Sequence, residues 1–522
     1  MKVNEKFITV KVTRFDPEKD IKARYVAYKV PYKKGMTVLD ALIYIRENYD
    51  GSFAFRYGCR VGYCGSCSVL IDGTPGLACM EEVPPDKEHL RVEPLSNFPV
   101  IKDLVVDISS VDKRILSIRP YMERKEPFEG VWPLEEEIFE RLEIVAKCIS
   151  CVGCIEACPV FNEAPQEYAG PLPMLNIAKF AFDPRDEADR VTTAYFEGLY
   201  NCTGCGKCKQ VCPYQIDIPE LVIGKIKEKA ISRNVKPPCL DKEINLITST
   251  GKAFSVPKGK SLLEKIPSLT EVDDPATTVA LFVGCFIDGV LRLQKSATSA
   301  IEVLKKNKIK VVVPKEQLCC GRPLLEIGER RKMDELVRKN VEVFEKTGVK
   351  EVVSLCSGCS LTLKKEYPSI FKRLEGREPE FKVYDICEFL AERVDLNPEK
   401  MNPLNLKVTY HDPCLLNRYQ GISKEPRDIL TSIPGVELVE MEQPDRCCGG
   451  GGVIRLTNSK LAASIGRRKV KDVLATGAEI VVSPCPICIL QINENLIREG
   501  ITDIKAIHLT ELLERAYGED KK

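Results

Sequence analysis

Cysteine is the residue type on which this chain concentrates its chemistry. Twenty-four of its 522 residues are cysteine, and most stand in clusters at fixed intervals. Cys148, Cys151, Cys154 and Cys158 form one C-x2-C-x2-C-x3-C-P run, and Cys202, Cys205, Cys208 and Cys212 form a second. In paired runs of this kind three cysteines hold one 4Fe–4S cluster and the fourth ligates the other. The expected sets are therefore Cys148, Cys151, Cys154 and Cys212 for one cluster, and Cys202, Cys205, Cys208 and Cys158 for the other. Upstream, Cys59, Cys64 and Cys67 have the C-x4-C-x2-C spacing of a 2Fe–2S site, with Cys79 as fourth ligand. Zinc favours C-x2-C pairs and fits this spacing poorly. Gly58, Gly62 and Gly65 suit a loop that must turn tightly and aim N–H groups at sulfur.

From Thr277 onward the chain repeats itself. The first unit carries Cys285, then Cys319–Cys320, then Cys356 and Cys359. The second carries Cys414, then Cys447–Cys448, then Cys485 and Cys488. Five cysteines per unit exceed what one zinc ion or one cubane needs. Adjacent cysteines do not easily serve one tetrahedral ion, and suit a cluster of unusual geometry or a bridging sulfur. The ten cysteines are expected to be metal ligands and, as the chemical terminus, catalytic.

The elements that must position these groups are legible in part. Phe7–Val12 and Tyr25–Val30 read as strands. Thr37–Tyr49 has helical spacing, with Thr37 as N-cap and Asp40 completing a capping box. In each repeat a short β-branched run precedes a cysteine loop, with helical segments such as Ala297–Lys306, Lys332–Lys346 and Ser459–Leu474 between. Strand and helix alternating predicts α/β units with parallel sheets and cysteines on loops at strand ends. The proline-punctuated polar stretch 236–275 reads as a linker over the surface.

Composition narrows the class. Hydrophobic content is 44% and the formal net charge is +1, so charge predicts no nucleic-acid partner. Met1 is followed by charged residues without an apolar core, which predicts no secretory leader. Cysteines in such clusters then imply metal or redox work in a reducing, cytoplasmic setting. No apolar run approaches the roughly 18 residues of a membrane span.

T-V-L-D-A-L, F-R-Y-G-C…C-G-S-C, G-L-A-C, P-V-I-K-D-L-V-V-D, the run at Cys148 and P-R-D-E-A resemble the iron–sulfur subunits of succinate dehydrogenase and fumarate reductase, over about the first 235 residues. The departure is Cys205. Family members lack a cysteine there and hold a 3Fe–4S cluster beside a quinone, so a full second run weakens the inference of a quinone site. The duplicated pattern resembles the CCG domain of heterodisulfide reductase subunits, also seen in glycolate- and glycerol-3-phosphate dehydrogenase subunits. That resemblance implies two non-cubane 4Fe–4S clusters. Together the parts resemble the iron–sulfur subunits of methanogen thiol:fumarate reductases. The implied architecture is multidomain α+β and α/β. It comprises a β-grasp 2Fe–2S ferredoxin domain over 1–105, a helical domain with two 4Fe–4S clusters over 106–235, the linker 236–275, and CCG domains over 276–400 and 401–522. The implied reaction oxidises coenzyme M plus coenzyme B to their heterodisulfide. Its electrons pass through 4Fe–4S and 2Fe–2S clusters to a flavoprotein partner whose FAD reduces fumarate to succinate. The alternative is an iron–sulfur subunit of a quinone-linked succinate dehydrogenase or fumarate reductase with an E-type CCG extension; a third reading is an electron-transfer adaptor.

Other residues carry competing readings. His411, three residues before Cys414, is a candidate proton donor to a leaving thiolate or a hydrogen-bonded loop histidine. Arg322, Arg418, Arg446 and Arg455 flank the cysteine loops and either bind an anionic substrate or tune cluster charge. Gly321 and Gly449–Gly452 are expected to let backbone approach cluster sulfurs. The glycine run lacks the context of a dinucleotide fingerprint, so flavin belongs in a partner chain. Cys239 and Cys387 belong to no motif and read as incidental or packing thiols, and His89 and His508 as ordinary surface or core residues.

Overall fold

Strand β1 (Phe7–Arg14) turns Ile8, Val10 and Val12 inward at every second position, as a half-buried strand must. In the computed structural model, which describes residues 6–126, 130, 132–257 and 259–518, the chain forms two units. One comprises Met1–Leu199 and Gly206–Ile226, the other Tyr200–Cys205 and Lys227–Lys522. The charged start through Glu5 lies outside the described residues.

In the first unit β1 pairs with β2 (Arg24–Pro31) antiparallel and with β5 (His89–Glu93) parallel. Strands β3 (Ser68–Ile71) and β4 (Thr74–Leu77) complete the order β2-β1-β5-β3-β4, and β6 (Val100–Lys102) with β7 (Val105–Val106) makes a separate ribbon. The helix Val38–Asn48 has the expected capping box between Thr37 and Asp40. It buries Val38, Leu39, Ala41, Leu42 and Ile45 in the same core as the inward residues of β1. Each of the valine, leucine and isoleucine side chains contributes about 1.5–3 kcal/mol on burial, which holds the helix on the sheet. The rest of the unit is short helices, including Gly153–Glu156, Pro159–Glu163, Pro171–Ala181 and Lys207–Gln210.

In the second unit the repeat becomes two four-stranded parallel sheets. The first is ordered β9-β8-β10-β11, from β8 (Thr277–Phe282), β9 (Ile309–Val312), β10 (Glu351–Ser354) and β11 (Lys382–Asp385). The second is ordered β13-β12-β14-β15, from β12 (Leu406–Tyr410), β13 (Val436–Leu438), β14 (Ile480–Val482) and β15 (Lys505–Ile507). Numbered within each repeat, both orders are 2-1-3-4. The connections run to opposite sides of strands 1 and 3, and open parallel sheets place their sites outside the carboxyl ends of the strands at that switch point. Helix Gln294–Lys306 of the first repeat packs on helix Leu509–Tyr517 of the second, through Ser296 to Glu511 and Ser299 to Glu514.

The stretch 236–275 is more than a surface linker. It contains the helix Cys239–Thr250, which follows Pro237 and Pro238 and buries Leu240, Ile244 and Ile247. Leu262, Leu263 and Ile266 join the core of the repeats. Prolines at a helix start cost no hydrogen bond, so their presence marks the helix boundary and does not break the helix. No helix among the described residues is long and apolar enough to cross a membrane.

Candidate functional site

The loop after the helix Val38–Asn48 gathers Cys59, Cys64, Cys67 and Cys79 on one edge of the first unit. Backbone N–H groups aim at their sulfurs: Val61, Tyr63 and Cys64 donate to Cys59 Sγ at 3.2–3.4 Å, and Gly62 donates to Cys79 Sγ at 3.3 Å. Cys64 is lowered to about 6, first by the Ser66 hydroxyl at 3.1 Å. Burial instead pushes Cys67 up to about 12. Gly65 sits at φ 71°, where a Cβ would lie 2.8 Å from the Ile149 carbonyl and 3.1 Å from Cys151 Cβ. Tyr214 Oη donates to the Gly62 carbonyl at 3.2 Å. The loop is thus seated on the first cysteine run and on Tyr214, two residues after the second.

Cys148, Cys151, Cys154 and Cys212 line one small cavity with Ile149, Val152, Leu172, Leu175 and Ile218. Burial raises Cys148 and Cys154, and raises Cys151 to about 11. Burial keeps these thiols protonated unless a cation draws them into thiolates, and four sulfurs around one cavity fit a 4Fe–4S cluster. The boundary between the two units passes through the second run. Cys158, Cys208 and Cys212 belong to the first unit, Cys202 and Cys205 to the second.

In the second unit each strand 1 and strand 3 delivers a cysteine at its carboxyl end: Cys285 after β8, Cys356 after β10, Cys414 after β12 and Cys485 after β14. The Cys-Cys loops lie alongside. Cys285 Sγ is 3.7 Å from Cys319 Sγ, and Cys448 Sγ is 3.4 Å from Cys488 Sγ. Gly321 N–H donates to Cys319 and Gly449 N–H to Cys447. Cys320 is drawn well below an ordinary thiol, first by Cys319 and then Cys359. Cys448 is drawn down to about 5, first by its Cys488 neighbour. Cys485 is lowered first by Cys356, so the two sets meet where the third strands end. Buried thiolates in contact with buried thiols fit groups that supply positive charge, and the donor set fits iron–sulfur clusters.

His411 is not a satisfied loop histidine. Its backbone N–H extends the β12–β14 ladder by donating to the Val482 carbonyl at 3.0 Å. The residue is 1% exposed, and its side chain faces the Cys448 thiol with no nitrogen or oxygen partner. The ring lies close enough to help lower Cys448. A His411 nitrogen, Cys448 Sγ and Cys488 Sγ all lie within 4.8 Å of one another.

The flanking arginines are committed within the protein. Arg322 pairs with Glu326 at 2.5 Å, Arg446 with Asp472 at 2.6 Å and Arg455 with Glu494 at 3.0 Å. Arg418 donates to the Cys205 carbonyl at 3.0 Å and pairs with the Asp445 carboxylate at 2.9 Å. The glycines also differ from expectation. A Cβ on Gly450 would lie 3.4 Å from Cys448 Sγ, but one on Gly451 would sit 2.5 Å from the Thr203 carbonyl and one on Gly452 2.4 Å from the Cys202 carbonyl. Gly451 and Gly452 therefore admit the Cys202–Cys205 backbone, and Cys447 Sγ lies 3.7 Å from Thr203 Oγ1. Sequence reasoning missed this seat because the two glycines meet a segment some 250 residues away. The other singled-out residues are unremarkable: Cys239 and His89 are exposed, Cys387 is buried on its helix, and His508 is spent on Thr510 and the Leu355 carbonyl.

Comparison with known proteins agrees with this division. Residues 9–113 match a 2Fe-2S iron-sulfur cluster binding domain, residues 144–216 a 4Fe-4S dicluster domain, and residues 279–364 and 408–493 a cysteine-rich domain. The chain is 39% identical to a subunit of the fumarate reductase (CoM/CoB) of Methanothermobacter marburgensis, over 98% of this chain and 100% of that one. It is 30% identical to a subunit of the dihydromethanophenazine:CoB–CoM heterodisulfide reductase of Methanosarcina barkeri, over 71% of this chain and 93% of the other. A Helicobacter pylori crystal structure titled a hypothetical protein shares the fold at TM-score 0.65 and 15% identity, covering 99% of this chain and 96% of that one.

Proposed function

We propose, for a chain that belongs to the family of this CoM/CoB fumarate reductase subunit, that it is the thiol-oxidising and electron-conducting iron–sulfur subunit of such an oxidoreductase. The observation that carries this reading is the meeting of two five-cysteine sets, through Cys356 and Cys485, in one chain with a 2Fe–2S-type loop. The substrates are coenzyme M and coenzyme B. Their two thiols lose two protons and two electrons as the S–S bond forms. Fumarate takes up two electrons and two protons to become succinate at the FAD of a separate flavoprotein chain.

Cys59, Cys64, Cys67 and Cys79 hold the 2Fe–2S cluster in this reading. Cys148, Cys151, Cys154 and Cys212 hold one 4Fe–4S cluster, and Cys202, Cys205, Cys208 and Cys158 the other. Each five-cysteine set, Cys285, Cys319, Cys320, Cys356 and Cys359, and Cys414, Cys447, Cys448, Cys485 and Cys488, holds a non-cubane 4Fe–4S cluster. Such clusters carry electrons singly. The protein residues set the order of transfer. Cys205 and Thr203 bring the second run against Cys447, and Gly65 brings the 2Fe–2S loop against Cys151. His411, beside Cys448 and Cys488, is the candidate proton donor to a leaving thiolate. The domain limits proposed are 1–105, 106–235, 236–275, 276–400 and 401–522, and the location proposed is the cytoplasm.

The test supplies the purified complex with both thiols and fumarate, and separately with a reduced menaquinone analogue. Thiol-driven fumarate reduction is expected. Turnover with quinol alone would transfer the assignment to a quinone-linked enzyme. Iron analysis is expected to give about 18 atoms per chain, and about 10 would remove both non-cubane centres.

A further inference from the structure

We propose that the Lys469 ammonium sets the second five-cysteine centre at a higher midpoint potential than the first, so that electrons collect at the second. This rests on the cluster reading above and concerns the charge around the cysteines, with all ten of them kept as ligands.

Lys469 and Asn340 occupy one place in the repeat. Lys469 stands 16 residues before Cys485, and Asn340 stands 16 before Cys356. Each is on the helix that leads into strand 3, Ser459–Thr476 and Met333–Glu345, and each is fully buried. Each also holds the segment that carries the Cys-Cys pair, by different means. In the first repeat the holding groups are neutral. Asn340 Oδ1 accepts from the Leu318 N–H at 2.8 Å, and its Nδ2 donates to the Cys319 carbonyl at 3.2 Å and to Tyr367 Oη at 2.9 Å. Tyr367 in turn donates to the Cys320 carbonyl at 3.2 Å. In the second repeat Leu496 replaces Tyr367, each 11 residues after its strand-3 cysteine, and a cation does the holding. Lys469 Nζ donates to the Gln443 carbonyl at 3.0 Å and to the Pro444 carbonyl at 2.9 Å.

The charge survives burial and reaches the cysteines. Burial brings Lys469 down to about 8, which leaves it protonated at neutral pH, and Cys448 is among the groups that favour its charge. The arginines near the two sets balance. Arg322 lies beside Cys320 and pairs with Glu326, while Arg418 lies beside Cys414 and pairs with Asp445. Arg446, which opposes the Lys469 charge, pairs with Asp472. Lys227, also buried, faces Cys202 of the 4Fe–4S run. Lys469 is therefore a cation whose place in the first repeat is taken by a neutral amide. A fixed positive charge in a buried site is less screened than in water and stabilises an added electron, and net charge is one of the levers on cluster potential. The second set is also the one that meets Cys205. A higher potential there draws an electron from the first centre, oxidising it, and presents that electron to the 4Fe–4S run.

The test is a redox titration of the purified complex, with both non-cubane centres read by electron paramagnetic resonance. Two distinct midpoint potentials are expected. Lys469→Gln keeps a donor and removes the charge. In it the higher potential should fall by about tenfold in the redox equilibrium, about 59 mV for one electron, and the lower should stay. Lys469→Met should do the same. A merely structural role moves the potential the other way, because water admitted by a loosened loop stabilises the more negative reduced state. Coincident potentials in the unsubstituted complex overturn the proposal, as does an upward shift, no shift, or a shift of the lower potential in Lys469→Gln. If neither variant loads its second centre, Asn340→Lys decides: the lower potential should rise, and no rise overturns the proposal. About 18 irons with coincident potentials removes only this inference, whereas about 10 irons removes the non-cubane reading itself.

Discussion

The two cysteine repeats have one topology and two different anchors. Both sheets run 2-1-3-4 and both place cysteines at the ends of strands 1 and 3. In the first repeat the helix after Cys285 carries Asp288, which accepts from Ser261 Oγ at 2.6 Å, the Leu263 N–H at 2.9 Å and Lys252 Nζ at 2.5 Å. In the second, the helix after Cys414 carries Arg418, which donates to the Cys205 carbonyl. One repeat clamps the segment that precedes it. The other clamps half of a cysteine run. Duplication supplies the cluster frame, and the divergent residue on the first helix decides what the frame is fastened to.

The largest effect expected from breaking this asymmetry is at Gly452. An added Cβ would meet the Cys202 carbonyl at 2.4 Å, and the residue sits at φ 61°. Backbone cannot yield as a side chain can, so Gly452→Ala should cost about 3–4 kcal/mol through strain and overpacking together. In the first repeat Gly321 faces only the flexible Met333 side chain, nearest atom 2.9 Å. Gly321→Ala should cost about 1–2 kcal/mol, mostly from its left-handed φ of 89°. Chemical denaturation of both variants checks the pair; equal losses would mean that the Cys202 segment is not seated on Gly452.

Asp288→Asn comes next. Burial opposes its charge, yet the Leu263 N–H, Lys252 and Ser261 together hold the carboxyl below its ordinary 3.8. Removing the charge leaves Lys252 unpaired and should cost about 2–3 kcal/mol at neutral pH. The sign with pH follows from the lowered value. A carboxylate depressed in the folded state contributes fully above 3.8 and loses that contribution as pH falls through its folded value. The difference in Leu263 amide exchange between the wild-type chain and Asp288→Asn should therefore be large at neutral pH and shrink below pH 3.8. A gap independent of pH would assign the loss to packing.

Much of this was legible from residue types. Alternation at Ile8, Val10 and Val12 announced β1, Thr37 and Asp40 announced a capped helix, and β-branched runs before each cysteine loop announced parallel sheets. Those are local signals, set by period and by neighbours within four residues. What stayed hidden depends on distant contacts. Leu240, Ile244 and Ile247 have helical spacing, but proline-rich polar surroundings masked it. Gly451 and Gly452 looked like room for sulfur because nothing local reveals the Thr203 backbone above them. His411 was left between proton donor and loop histidine because sequence does not show which groups its ring faces.

The smallest and most discriminating change is Arg418→Lys. The guanidinium spans two targets, the Cys205 carbonyl and the main chain and carboxylate of Asp445, which a planar fork reaches and a single ammonium does not. Lysine keeps the charge and should lose about 1 kcal/mol, the worth of one hydrogen bond. The Gly204 amide should exchange faster while the nearest cluster keeps its potential. Arg418→Met removes the charge as well, and a positive charge beside Cys205 and Cys414 favours the reduced state. That variant should therefore lower the midpoint potential of the centre Cys205 ligates. If lysine and methionine shift the potential equally, Arg418 acts by holding the loop in place. If only methionine shifts it, the charge sets the potential and the clamp is separable from it, whereas Asp288 in the first repeat has no cysteine run to tune.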